Sequence, residues 1–135
     1  MNNIDVLLIT PPSRLEVYQG LSNEYAAIEP PVWSSLIANY LLKRNYNVQI
    51  LDAEADNLTH EQTAKKIISI DPKLAVFMVY GQQPSASTQC MPGGRKTCSK
   101  LNELLSLNGI LSPWSEVTIR NVLSKLIWSK ISFNQ

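Results

Sequence analysis

Three nearly unbroken apolar runs, each stopped by turn-forming residues, restrict this chain to a layered arrangement of strands and helices. Leu74-Ala75-Val76-Phe77-Met78-Val79-Tyr80 is closed by Gly81, and Ile4-Asp5-Val6-Leu7-Leu8-Ile9-Thr10 is closed by Pro11-Pro12. The third run is Val48-Gln49-Ile50-Leu51-Asp52. A strand reads as continuously apolar, without alternation, when helices cover both of its faces. Strands are therefore expected at 4–10, 47–52 and 74–80.

The intervening segments read as helices. Pro30-Pro31 opens the first, since proline fits the first turn, and Val32, Leu36, Ile37, Tyr40 and Leu41 repeat at three and four to form one apolar face. Ser35, Asn39, Lys43 and Arg44 face out, the two cations favouring the carboxyl end of the dipole, and Asn45 is a left-handed terminator. Thr59-His60-Glu61-Gln62 fits a capping box. The helix it starts turns Ala64, Ile67 and Ile68 inward and ends before Asp71-Pro72. Gly93-Gly94 precede a third helix through Leu101, Leu104 and Leu105. Strand and helix alternate with short connections, which implies a parallel sheet wrapped by helices on both faces. Ser13 to Glu29 has neither period, and a loop of that length in a compact domain points to function.

After Tyr80-Gly81 the chain spends Gln82 to Thr88 on amides, hydroxyls, Pro84 and Ala86, with no charge. Ligands of open parallel sheets bind beyond the carboxyl ends of the strands. This segment therefore sits where a neutral hydrogen-bonding pocket would be, or else forms a plain polar surface loop.

Composition removes several classes. A chain of 135 residues with 12 basic and 11 acidic side chains has a formal charge of +1. That balance gives no basic surface for nucleic acid. No apolar run approaches membrane-spanning length and no leader segment is visible, so a cytoplasmic protein without a membrane partner is expected. Cys90 and Cys98 read as reduced thiols, and with His60 the only histidine they cannot complete a four-ligand zinc site. The place of His60 in the capping box makes it an exposed first-turn residue. Asp52 ends a strand as ribose-binding acids do, but no GxGxxG follows the first strand. Glu24 and Glu29 read as solvated loop carboxylates, and Cys98 as a packing residue.

Pro30-Pro31, Leu36-Ile37-Ala38-Asn39-Tyr40-Leu41 and Asn45-Tyr46-Asn47-Val48-Gln49-Ile50-Leu51-Asp52 together resemble PPxxxxxLAxxLxxxGxxVxIxD, a pattern of the N-terminal cobalamin-binding domain of radical SAM enzymes. The start Leu7-Leu8-Ile9-Thr10-Pro11-Pro12-Ser13 and the segment Leu74–Thr88 are similar to it as well, so the resemblance spans residues 3 to 105. Asn45 stands where the family has glycine. The resemblance implies an α/β, Rossmann-like (flavodoxin-like) parallel sheet with the corrin over the carboxyl ends of its strands. By position, Pro12 and Ser13 would border the corrin after the first strand. Tyr80, Gly81, Gln82, Gln83, Ser85, Ser87 and Thr88 would line it after the third. No histidine stands in the first loop, where related cobalamin domains carry DxHxxG, so no protein ligand to cobalt is expected. Two cysteines cannot form the CxxxCxxC motif that holds an iron–sulfur cluster, so no cluster and no catalytic activity are expected of this chain alone.

Residues 1–107 read as the cobalamin-binding-like domain, incomplete at its carboxyl end, and 108–135 as an atypical tail. Reading two nucleotides on across Pro113–Arg120 permits the peptide LVGGHHP, close to the family's fourth strand and glycine loop. A frameshifted or truncated gene is thus expected, with cobalamin binding weak or lost and self-association through an open sheet edge. A non-binding structural remnant and a flavodoxin-like interaction domain remain as alternatives.

Overall fold

A computed structural model of the chain describes residues 4–13, 28, 30–79 and 84–107, with only the backbone of 84–90. It is an α/β arrangement of three strands and three helices in strict alternation: β1 (Val6–Thr10), α1 (Val32–Leu42), β2 (Val48–Asp52), α2 (His60–Ile70), β3 (Leu74–Phe77) and α3 (Pro84–Leu107). The chain divides into two compact units, Met1–Leu101 and Asn102–Gln135, and of the second only residues 102–107, the end of α3, are described. Of the expected loop from Ser13 to Glu29 only Ser13 and Ile28 are described, and everything expected of 108–135 lies outside the described residues.

All strands are parallel in the order β2-β1-β3. Val6, Leu8 and Thr10 pair with Val48, Ile50 and Asp52 on one side, and Val6 and Leu8 with Leu74 and Val76 on the other. Side chains alternate across a strand, so Val6, Leu8 and Thr10 share one face while Leu7 and Ile9 point to the other. That second face is dry: Leu7, Ile9, Leu51, Ala75 and Phe77 are all buried, as are Ala64 and Ile67 of α2. The first face is only partly covered. Val6, Leu8 and Ala38 of α1 form its buried cluster, and Leu41, Val48, Ile50, Leu74, Val76 and Met78 pack around it half-exposed. Right-handed crossovers explain the difference, because moving from β1 to β2 and then back across to β3 puts α1 and α2 on opposite faces.

Four expectations need correction. The ladder of β3 ends at Phe77 rather than Tyr80; Met78 still donates to the Ile9 carbonyl at 2.7 Å, but Tyr80 lies outside the described residues. Helix α1 does not bury its large apolar side chains. Ser34 and Ala38 face the sheet, whereas Val32, Trp33, Leu36, Ile37 and Tyr40 are 39–58% exposed. Small residues let the helix lie close to the strands, and of the expected apolar face only Leu41 packs on the core. Lys43 and Arg44 fall just beyond the last turn, where Arg44 lies over the Tyr40 ring at 3.5 Å. Finally, α3 starts at Pro84 and runs straight through Gly93-Gly94 instead of starting after them. The capping box on α2 is present in full, and Asn45 is left-handed with φ 63°. Among the described residues no helix is long and apolar enough to cross a membrane.

The amino ends of the strands are tied by one side chain. Asp5 accepts the Asn47 amide at 2.8 Å and the Lys73 ammonium at 2.6 Å, joining the entries of all three strands. The bond from Lys73, then that from the Asn47 amide, hold the Asp5 carboxyl below its ordinary 3.8. A carboxyl lowered on folding stabilises the fold fully above its unfolded value and loses that contribution as pH falls through the folded one. Denaturant unfolding followed from pH 6 downward is therefore expected to show an acid-sensitive limb beginning near pH 4. Asp5→Asn is expected to flatten that limb, and an unchanged limb would remove Asp5 from this role. Thr59→Ala is expected to cost about 0.5–2 kcal/mol through loss of the cap, checked by the same unfolding measurement.

Candidate functional site

The carboxyl ends of three parallel strands meet on one edge, and the chain leaves β1 and β2 through different kinds of turn. After β1 it is stiffened by Pro11-Pro12, whose rings fix φ and carry no amide hydrogen. Pro11 and Ser13 are buried and Pro12 is half-exposed. Ser13 donates its amide to the Glu54 carboxylate, and its hydroxyl donates to the Pro11 carbonyl at 3.3 Å. After β2, the Ala53 amide returns to the Thr10 carbonyl at 3.0 Å, and the Ala55 amide donates to Asp52 Oδ1 at 3.2 Å. Asp52 thus shapes a turn, and Glu54 reaches across to fix the neighbouring loop.

Helix α3 closes this corner from the side. A Cβ on Gly93 would strike Ser13 Oγ and stand 2.9 Å from the Pro12 carbonyl, and one on Gly94 would come within 3.1 Å of Val79. The two glycines therefore let a helix backbone rest directly on the exit of β1 and β3. Thr97, one turn on, is fully buried and donates to the Gly93 carbonyl at 3.1 Å. Its single proton spent there, Thr97 Oγ1 must accept from His60 Nδ1, 2.9 Å away, which places the imidazole proton on Nδ1. His60 is half-buried between α2 and α3, not the exposed first-turn residue expected.

Of the residues the sequence pointed to, Pro12 stands on the ledge above the strands, while Ser13 turns beneath it and spends its hydroxyl inside. Tyr80, Gly81, Gln82 and Gln83 lie outside the described residues. Ser85, Ser87 and Thr88 stand in the first turns of α3 rather than in a loop; their side chains, with that of Cys90, are outside the description. Pro84 starts that helix without strain, because a first-turn proline lacks only an amide hydrogen that has no intrahelical acceptor. Cys98 is half-buried, as a packing residue would be. Glu29 and Glu24 are outside the described residues. No group of three or more histidine, cysteine or acidic side chains able to hold a metal ion occurs among the described residues.

Glu54 and Thr97 were not singled out by sequence, and Gly93 was read only as the lead-in to a helix. Glu54 left one trace, a carboxylate two residues beyond a strand end, on the edge where such sheets bind ligands.

Two hydroxyls on this edge are buried without a hydrogen-bond partner: Thr10 Oγ1 at the end of β1 and Ser34 Oγ in the first turn of α1. Both belong to the partly covered face of the sheet.

Comparison of the chain with protein families, with characterised proteins and with solved structures returns no match.

The contact of α3 with the β1 exit is tight enough to test. Gly93→Ala places a methyl group against the Pro12 backbone, which cannot swing aside as a side chain would. The expected cost is about 1–3 kcal/mol in denaturant unfolding. Amide chemical shifts at Ser13 and Glu54 are expected to move with it, and stability and shifts like those of the unaltered chain would mean the contact is loose.

Proposed function

We propose that this chain is the cobalamin-binding module of a B12-dependent radical SAM enzyme, with a Rossmann-like fold, and that alone it holds the cofactor weakly. The observation that carries this reading is the neutral, stiff ledge at the carboxyl edge of the parallel strands. Pro11-Pro12 is set there by the Glu54 carboxylate beneath and by Gly93 at the side. A flat macrocycle needs such a surface, and the half-exposed Pro12 ring, backed by the buried Pro11, offers apolar contact without a polar group of its own to desolvate.

In this reading Pro12 lies against the corrin, Ser13 supports the ledge from below, and the segment Tyr80, Gly81, Gln82, Gln83, Ser85, Ser87 and Thr88 supplies neutral donors and acceptors to its edge amides. Bound cobalamin supplies the radical or group-transfer chemistry of its cobalt, and the chain binds and orients it. His60 donates its Nδ1 hydrogen to Thr97 and serves the packing of α3, and the loop after β1 carries no histidine that would offer bound cobalamin an imidazole. In this reading the glycine loop that follows a fourth strand in the family has no counterpart in the sequence after Leu107 in this frame.

Titration with hydroxocobalamin, followed by its visible spectrum, tests this. A form whose frame is restored after Leu107 is expected to bind at least about a hundredfold more tightly than this chain. Three lost hydrogen bonds of about 0.5–1.5 kcal/mol each account for that ratio. Equal, tight binding by both overturns the account of the missing wall, and no binding by either overturns the cobalamin reading. The chain alone is expected to form no 5′-deoxyadenosine from SAM after treatment with iron and sulfide.

The outward apolar stripe of α1 favours a second reading, an interaction domain. In that case the chain associates, through this stripe or the outer edge of β3, in a concentration-dependent way that sedimentation measures, with cobalamin having no effect.

A further inference from the structure

The amino end of α1 is built without the usual compensation. Its N-cap is Pro31, no side chain caps it, and no acidic residue stands in the first turn. Val32 donates to the Pro30 carbonyl at 2.8 Å and Ser35 to the Pro31 carbonyl at 2.9 Å. The Trp33 and Ser34 amides are left without an acceptor among the described residues. An eleven-residue helix with two unused amides at its positive end attracts an anion.

A second observation comes from the core beneath it. Ser34 is 0% exposed, yet its hydroxyl has no partner. A helical Cβ leans toward the amino end, so the Ser34 side chain lies over the turn that carries these amides. Thr10 Oγ1 is equally buried and equally unpartnered. Both lie beyond one cluster, in which Ala38 packs with Val6 and Leu8; Ser34 lies four residues before Ala38, about 6 Å along the helix. Thr10 lies two residues after Leu8, about 6.6 Å along the strand. Since α1 runs against β1, both steps lead to the same end of the same face. Burying a hydroxyl without a partner is unfavourable, and two together at a helix amino end need a common explanation.

We propose that this corner binds a phosphate group, free or esterified, through the Trp33 and Ser34 amides with the hydroxyls of Ser34 and Thr10. All four groups donate, and a phosphate oxygen accepts from several donors at once. Reaching the hydroxyls takes a side-chain movement at the rim, where Trp33 is 58% exposed and has room to swing. One group opposes the anion. Asp52 pairs with Thr10 across the sheet and brings a carboxylate to the same edge, bonded to the Ala55 amide. Its charge repels the anion and lowers the affinity. This inference does not rest on the cobalamin reading, since its probe is phosphate alone.

Amide NMR of the full chain, titrated with inorganic phosphate and separately with glycerol phosphate against sodium chloride of equal ionic strength, tests it. Saturable shifts are expected at the Trp33 and Ser34 amides and at the Trp33 indole, and the tighter of the two probes tells free phosphate from ester. Ser34→Ala and Thr10→Val are each expected to weaken binding about tenfold. Both should also raise the unfolding temperature of the phosphate-free chain, because each removes an unpartnered hydroxyl. Asp52→Asn is expected to tighten binding severalfold. Absence of saturable shifts at these amides overturns the proposal. So does binding that neither Ser34→Ala nor Thr10→Val weakens.

Discussion

Among the described residues the other elements take their place from β1, the strand paired on both sides. All five of its residues pair with β2 and the first four also with β3, so a single register fixes both neighbours. A slip by one residue would turn Leu7 and Ile9 out of the dry face and put Leu8 and Thr10 in their place. The hydroxyl of Thr10 would then enter an apolar layer. Asp5 secures the register at one end through Asn47 and Lys73, and the Ala53 amide on the Thr10 carbonyl secures it at the other. Between these two anchors the strand has no freedom to shift.

The two ends of the sheet serve different purposes. The amino end carries charge in the open, where Asp5 meets Lys73. The carboxyl end is neutral at its ledge and held from within by Glu54, Gly93 and the Thr97–His60 pair. These contacts fix the Pro11-Pro12 backbone from beneath and from the side.

What the sequence reveals is what local chemistry decides. β1 and the start of β2 are visible as apolar runs, the cap of α2 as Thr59 and Gln62 three apart, and the stop after α1 as Asn45. The orientation of α1 is not visible in the same way. The helix carries two stripes at helical spacing, a large one through Val32, Leu36 and Tyr40 and a small one through Ser34, Ala38 and Leu41. Periodicity identifies both and ranks neither; the tight approach to the sheet selects the small one. The start of α3 is hidden for a related reason. Its first turns are amides and hydroxyls, and Pro92-Gly93-Gly94 looks like a beginning although it lies in the middle. The glycines are there for contact with Ser13 and Pro12, a reason that exists only after folding. Glu54 and Ser13 are 41 residues apart, and His60 and Thr97 are 37 apart, so no local pattern joins them.

The pairing of the first strand with partners far along the chain also sets an order of events during synthesis. Asp5 meets Asn47 after 42 further residues and Lys73 after 68. At roughly 5–20 residues per second, β1 waits about 2–8 s for its first neighbour and longer for its second. Through that interval Val6-Leu7-Leu8-Ile9 is an apolar segment still without either of its strand partners, and the pace of translation through α1 sets how long that state lasts.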